Sequence, residues 1–274
     1  MGVGATYKSF TLNLAYGFGF LNPDRGQGKT RYLDLQFHSY GRKVVLDVFG
    51  QFYKGFYLSP QGTAMATSDQ YYIRPDLRVN EIGVSIQYVL NNRKFSYRAS
   101  FFQNEWQKKS SGTFLIGIES YGGWVKADST IVPNRLNRET GLVNPSNFNF
   151  FEFGPSVGYA HTLIFKKHFF FTASGSVSLD YGVSTLRNSQ GSNQAVGFSP
   201  NTFLRLFGGY NSSTWAVSAS YISDGVRLVP NSGRQIILNT SNIRLNFVYR
   251  FRPGRKTRKA LKVVEQAENA IENK

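Results

Sequence analysis

The side chains able to do acid–base, nucleophilic or metal chemistry here are three histidines, sixteen carboxylates and the hydroxyls; the 274 residues include no cysteine. His38, His161 and His168 stand in no HxH or HxxxH spacing and beside no carboxylate run. The spacing of zinc ligands is therefore missing, and neither a metal nor a cofactor is expected. A lipid-modifying enzyme is the sharpest catalytic alternative, because His161 falls on the Val157–Tyr159–Leu163 face. It would need a Ser or Asp within hydrogen-bond reach of His161 or His38. Glycine-rich "YGFGF" precedes no helix and no Lys-Ser/Thr, so it is no phosphate loop. No catalytic residue is assigned, and the chain is not expected to be an enzyme.

What remains is charge. Lys and Arg number 32 against 16 Asp and Glu, a formal +16. One group of charged residues falls on polar strand faces by alternation: Asp34, Asp47, Arg98, Glu119, Asp180, Arg205 and Arg244. On neighbouring strands Arg98 should face Glu119, and Asp180 should face Arg205. Mixed signs on one wall suit a narrow wet lumen without strong ion selectivity. A second group, Lys8, Arg42, Lys43, Arg93, Lys94, Lys166 and Lys167, marks short turns. These read as a girdle for phospholipid headgroups, each charge contributing on the order of 1 kcal/mol near an anionic surface. Nucleic acid is not expected as a partner, since aromatic stripes facing lipid cannot also stack on bases.

The elements that must carry these residues are strands. In "SFTLNLAYGFGF", "RYLDLQFHSY", "KVVLDVFGQF" and "EIGVSIQYVL" apolar and polar residues alternate with period two. The pattern returns in "RKFSYRASFFQNEW", "GTFLIGIES" and a poorer "WVKADSTIV". It continues through "FGPSVGYAHTLIF", "FFFTASGSVSLDYGV", "TFLRLFGGY", "TWAVSASYI" and "NIRLNFVYRF". That makes about 12 strands near the ~10-residue scale of a membrane strand, with room for 14 in a full-length protein. "GVGATY", before a Lys8-Ser9 turn, is a candidate extra strand. Phe95, Tyr97 and Phe101 fall on one face and are expected to touch lipid.

Short turns at 41–42, 91–92, 121–123, 166–167 and 211–213 alternate with longer segments at 21–29, 58–77, 133–147, 187–197 and 224–235, with a short one at 107–111. That asymmetry is typical of outer-membrane meanders, and Greek-key sandwiches have no reason to show it. Mean hydropathy is -0.30, and no run nears the roughly 20 apolar residues of a membrane helix. No secretory leader is visible, because "MGVGATYKSF" already reads as strand. The expected fold is all-β, an antiparallel up-and-down transmembrane barrel over 1–251. A basic periplasmic tail, 252–274, follows and is predicted to be helical, with Leu261, Val264, Ala267 and Ile271 on one face. That face is a candidate partner-binding surface.

Two stretches, "YKSFTLNLAYGF" and "YYIRPDLRVNEIGVSIQYVLNNRKFSYRASFFQNEWQKKSSGTFLIG", resemble the Bacteroidetes outer-membrane barrels grouped as domain of unknown function 4421. The resemblance spans most of residues 3–251, and "QKKSSG" is its most specific piece. It implies an outer-membrane location in a Gram-negative bacterium and a barrel fold, and it brings no activity to transfer. The expected role is a narrow pore or a structural or accessory barrel of the cell envelope, with lipids as partner and the C-terminus periplasmic. The alternatives are a lipid-modifying barrel or a subunit of a larger envelope complex docking through the tail helix.

Overall fold

The structure, a computed structural model, describes residues 2–7, 10–16, 26–140, 144–233 and 235–250. The tail with Leu261, Val264, Ala267 and Ile271 lies outside these residues, as do Lys8 and most of "YGFGF". The described chain is one antiparallel sheet of 11 strands in chain order. They are β1 (Gly2–Tyr7), β2 (Phe10–Tyr16), β3 (Arg31–Tyr40), β4 (Val44–Tyr57), β5 (Ile73–Val89) and β6 (Ser111–Lys126). After a short helix α1 (Asn134–Thr140) come β7 (Asn147–Phe165), β8 (Phe169–Asn188), β9 (Gly191–Asn211), β10 (Trp215–Arg227) and β11 (Ile237–Tyr249).

The sheet is strongly curled. Its concave side brings distant strands within hydrogen-bond reach: Asn242 of β11 donates to Gln36 of β3 at 3.0 Å, and Thr240 donates to Gln51 of β4 at 2.8 Å. Alternation decides which residues face inward. Along β8, Phe171, Val177, Leu179 and Tyr181 are exposed, while Thr172, Ser174, Ser176, Ser178 and Asp180 are buried. This inverts a soluble sheet: the polar face is dry and the convex apolar face is bare. Curvature is helped where side chains would collide. A Cβ on Gly83 would sit 2.1 Å from the Phe49 ring, which lies over that glycine. At Gly55, φ is +89° and the β4–β5 register shifts between Lys54 and Phe56, a bulge that glycine accommodates.

Three sequence expectations change. First, "RKFSYRASFFQNEW" is no strand. Residues 91–110 leave β5, fold into the concave space and return to β6, with a π-helical turn at Arg98–Phe102 that ends on a left-handed Gln103. Phe95, Tyr97, Phe101 and Phe102 are buried inside rather than on lipid. Second, "GTFLIGIES" and "WVKADSTIV" fall largely on one strand, β6, so Tyr121-Gly122-Gly123 is no turn. Third, 187–197 is a tight β8–β9 hairpin with Asn188 opposite Gly191. With "GVGATY" as β1, about 12 strands become 11.

Connections 41–43, 166–168 and 212–214 gather at one end, here the near end, where residues 91–110 also insert. The far end carries 58–72, 127–146 and 228–236.

Removing an inward aromatic leaves a void, so Phe101→Ala should lower unfolding free energy by ~3–5 kcal/mol. Phe151→Ala, on the exposed face of β7, should cost clearly less. Urea unfolding in detergent checks the order; equal losses would return residues 95–102 to the outside of the sheet.

Candidate functional site: the sealed interior

The concave space has three layers. At the near end, the 91–110 segment packs Phe95, Tyr97, Phe101 and Phe102 against Tyr40 of β3 and Phe207 of β9 in one buried apolar cluster. Ring centroids of Tyr40 and Phe101 are 4.7 Å apart, and those of Phe101 and Phe207 5.4 Å in edge-to-face contact, a favoured arrangement of aromatic pairs. Two hydroxyl pairs tie the segment to β8: Tyr97 Oη with Ser174 Oγ and Ser100 Oγ with Thr172 Oγ1, both 2.6 Å.

The outer side of this plug is held by charge. Glu105 lies 3.2 Å from Arg42 and 3.4 Å from Arg98, and it accepts a bond from Ser96 Oγ at 2.6 Å. Arg250, just past β11, donates to the carbonyl of Gln103 and to Asn211 Oδ1. Partial burial lowers the pKa of Arg250, but a guanidinium stays charged at neutral pH. Trp106 Nε1 donates to the Lys167 carbonyl at 2.7 Å.

Beneath the plug lies a polar layer. Arg205 of β9 has no exposed surface and places Nη2 2.5 Å from Asp47 Oδ2 of β4. Its Nη1 donates to Gln87 Oε1 of β5 at 3.2 Å, and its guanidinium lies 3.8 Å from the centre of the Phe203 ring. The other Asp47 oxygen accepts from Tyr40 Oη at 2.7 Å and pairs with His38 Nδ1 at 2.6 Å. Since an ionised carboxylate only accepts, His38 carries its proton on Nδ1. Toward the far end Glu152 of β7 accepts from Ser199, Asn201 and the Val229 backbone, and Asn201 also donates to Asp180 at 2.7 Å. Glu119 accepts from Ser85, Gln87 and Tyr121. A cavity of about 30 Å3, room for about one water, lies among His38, Asp47, Asp224 and Asn242.

A second apolar cluster closes the far end: Tyr121, Val125, Phe148, Phe150, Leu186, Val226 and Leu228. The 228–236 loop folds over it, anchored where Asn231 Nδ2 donates to the Ser184 carbonyl at 3.1 Å.

The structure places Asp34, Asp47, Glu119, Asp180, Arg205 and Arg244 on the concave side. The expected pairings differ. Arg205 meets Asp47, not Asp180, because Asp180 lies opposite Ser199 and Arg205 opposite Ser174. Arg98 is not a wall residue: it rides on the plug and meets Glu105, not Glu119. Asp34 is bonded by Tyr53 at 3.1 Å and Gln36 at 3.4 Å, and Arg244 sits 5.4 Å from the Phe101 ring centre. Arg42, Lys43, Arg93, Lys94, Lys166 and Lys167 are exposed at the near end.

His161 lies on the convex face with Tyr159 Oη 3.2 Å from its Nδ1, and His168 Nδ1 is 2.9 Å from the Asn211 carbonyl. At His161 the partner is a Tyr, not the Ser or Asp that a lipid-modifying barrel would need; His38 does have Asp47 in reach at 2.6 Å, but that pair is buried on the concave side, away from the convex face. Among the described residues, no three of His, Asp or Glu converge as a metal site. Glu81, Gln87, Glu152 and Asp224 belong to the interior and were missed. Glu81 is the first residue of "EIGVSIQYVL", in phase with the inward Gly83, Ser85 and Gln87. Glu152 escapes because Phe148 and Phe150 share its inward face.

A buried charge that loses its partner costs about 3–5 kcal/mol. Arg205→Met should therefore destabilise the fold by that order, with Tyr40 and His38 left around the uncompensated carboxylate of Asp47. Adding Asp47→Asn to Arg205→Met should restore part of the loss. Strictly additive losses in a double-mutant cycle would mean that the pair does not interact.

No curated protein matches the chain. Among solved structures it is similar to OmpT of Vibrio cholerae, expressed in the outer membrane, with 14% identity and a TM-score of 0.34. It is also similar to the same protein folded in vitro, with 13% identity and a TM-score of 0.32. These matches cover 89% and 88% of this chain but only 63% and 60% of those chains, less than two thirds of their length. The family model described as domain of unknown function (DUF4421) matches residues 1–251, and the chain belongs to that family.

Proposed function

We propose that this protein is a closed, non-catalytic barrel of the outer membrane, a structural or accessory element of the envelope whose partner is lipid, and not an open pore. The membrane placement is supported by the convex face. Ile82, Phe114, Phe151, Val177, Phe198 and Leu245, from six different strands, are each at least half exposed. Exposed large apolar side chains spread over this many strands mark a surface that faces something other than water. The near end adds an interfacial aromatic set, with Tyr210 stacked on Trp215 at 4.6 Å and on His168 at 5.3 Å, beside exposed Lys166 and Lys167. Girdles of aromatics at the rim of an apolar band are a feature of outer-membrane barrels.

The single observation that carries closure is the Tyr40–Tyr97–Phe101–Phe207 cluster seated on the Arg205–Asp47 bridge. Arg205, Tyr40 and Asp180 have no solvent-exposed surface, which supports a filled interior. Bonds from wall to wall serve here as the filling that side chains provide in small barrels.

In planar bilayers the wild-type protein should give no steady channels. A variant with residues 95–102 replaced by glycine and serine should give small ones, because the near seal is then gone. Steady porin-like conductance from the wild type would overturn closure. Membrane placement is checked separately: Leu179→Arg, on the convex face, should reduce insertion by ~2–4 kcal/mol if near mid-bilayer. Unchanged insertion would count against lipid contact there.

A further inference from the structure

Strand register places five basic residues in a row that no sequence spacing reveals. Arg31 of β3 lies opposite Lys54 of β4, Lys54 opposite Arg78 of β5, and Arg78 opposite Lys126 of β6. Lys126 then faces Asn147, and Asn147 faces Arg187 of β8. All five cations are exposed. By alternation with Leu33, Phe52, Ile82 and Ile118, the four from β3 to β6 project from the convex face, at the far rim of the apolar surface. Like charges directly opposite on paired strands repel and destabilise the pair. One such pair is ordinary; three consecutive ones are not.

Among the described residues none of these five has a carboxylate within ion-pair distance. The nearest acid in β5, Asp76, is engaged by Arg74 through two bonds of 2.8 and 2.9 Å. Next to the row the surface is hollowed into a recess of about 460 Å3, lined by Arg31, Lys54 and Arg78 together with Leu33, Phe52 and Trp124.

We propose that this row is a binding site for a phosphorylated lipid of the leaflet at the far rim. Its phosphates would lie across Arg31, Lys54, Arg78 and Lys126, and its acyl chains would run down the apolar surface beside Leu33 and Phe52. The chemistry fits on both sides. Guanidinium forks and ammonium groups are the usual phosphate partners, and an amphiphile alone satisfies a cationic row set directly above a hydrocarbon-facing one. A soluble anion would match only the upper half. The inference rests on the membrane placement proposed above and extends it to a specific lipid class at one rim.

The test is native mass spectrometry of the detergent-folded protein with bisphosphorylated lipid A, its dephosphorylated form, and inorganic phosphate as probes. The wild type should retain bisphosphorylated lipid adducts, hold the dephosphorylated form far less, and lose nothing to millimolar phosphate. Near an anionic surface each charge contributes about 1 kcal/mol, roughly fivefold in binding. Lys54→Gln with Arg78→Gln should thus weaken retention about 25-fold, whereas Lys108→Gln with Lys109→Gln, exposed at the opposite end, should leave it unchanged. Equal retention by both double variants, or competition by free phosphate, would overturn the site. Insertion of the Lys54/Arg78 variant into phosphatidylcholine vesicles reads the membrane placement separately. Insertion with lost lipid A retention supports both, and a wild type that never inserts defeats the placement itself.

Discussion

A guanidinium without exposed surface, deep on the concave side of a β-sheet, needs everything around it to be in place. Arg205 is bonded by Asp47 from five strands away and by Gln87, while Asp47 in turn holds Tyr40 and His38. An unpaired buried charge costs several kcal/mol. The pair therefore ties β9 to β4 and fixes how tightly the sheet curls. Tyr40, oriented by Asp47, is also the ring on which Tyr97, Phe101 and Phe102 pack. One ion pair thus sets curvature and seats the near seal.

The same logic explains the layered interior. With apolar side chains turned outward, the polar residues of the strands have only each other and the inserted segments as partners. The middle layer answers this with amides and hydroxyls that bridge carboxylates, as Asn201 does between Glu152 and Asp180. Apolar clusters flank this layer at the two ends, and the low local dielectric strengthens its electrostatics. Burial and wall-to-wall bonding are what support the proposed filled barrel over a slim pore.

Much of this could be read from the chain. Period-two alternation marks ten of the eleven strands and their faces, and Ser174, Ser176 and Ser178 sit inside as their spacing implies. The segment around Phe101 shows the limit. Its alternation matches that of a strand, yet it is a buried turn touched from all sides, and periodicity does not distinguish the two. The adjacent Phe101-Phe102 pair breaks the pattern, and Gln103, Glu105 and Trp106 stay out of phase after it. Splitting β6 at Tyr121-Gly122-Gly123 added a second false strand. Two extra strands leave the parity of short turns and long loops intact, so the topology looked consistent.

Partners across the interior, such as Arg205 with Asp47, lie 158 positions apart, and nothing local encodes them. The basic row at the far rim is invisible for the same reason, because it exists only once four or more strands are in register.

Residues 91–110 fill the interior against β8, and a cross-link reads that placement directly. The chain has no cysteine, so a single introduced pair reports without background. Ser100→Cys with Thr172→Cys replaces two hydroxyls that stand 2.6 Å apart, in reach of a disulfide after small adjustment. Mild oxidation of the folded, membrane-inserted protein should cross-link the pair nearly completely, seen as a mobility shift reversed by reductant. If the protein folds and inserts but the pair stays reduced, the segment does not occupy the interior and the account fails.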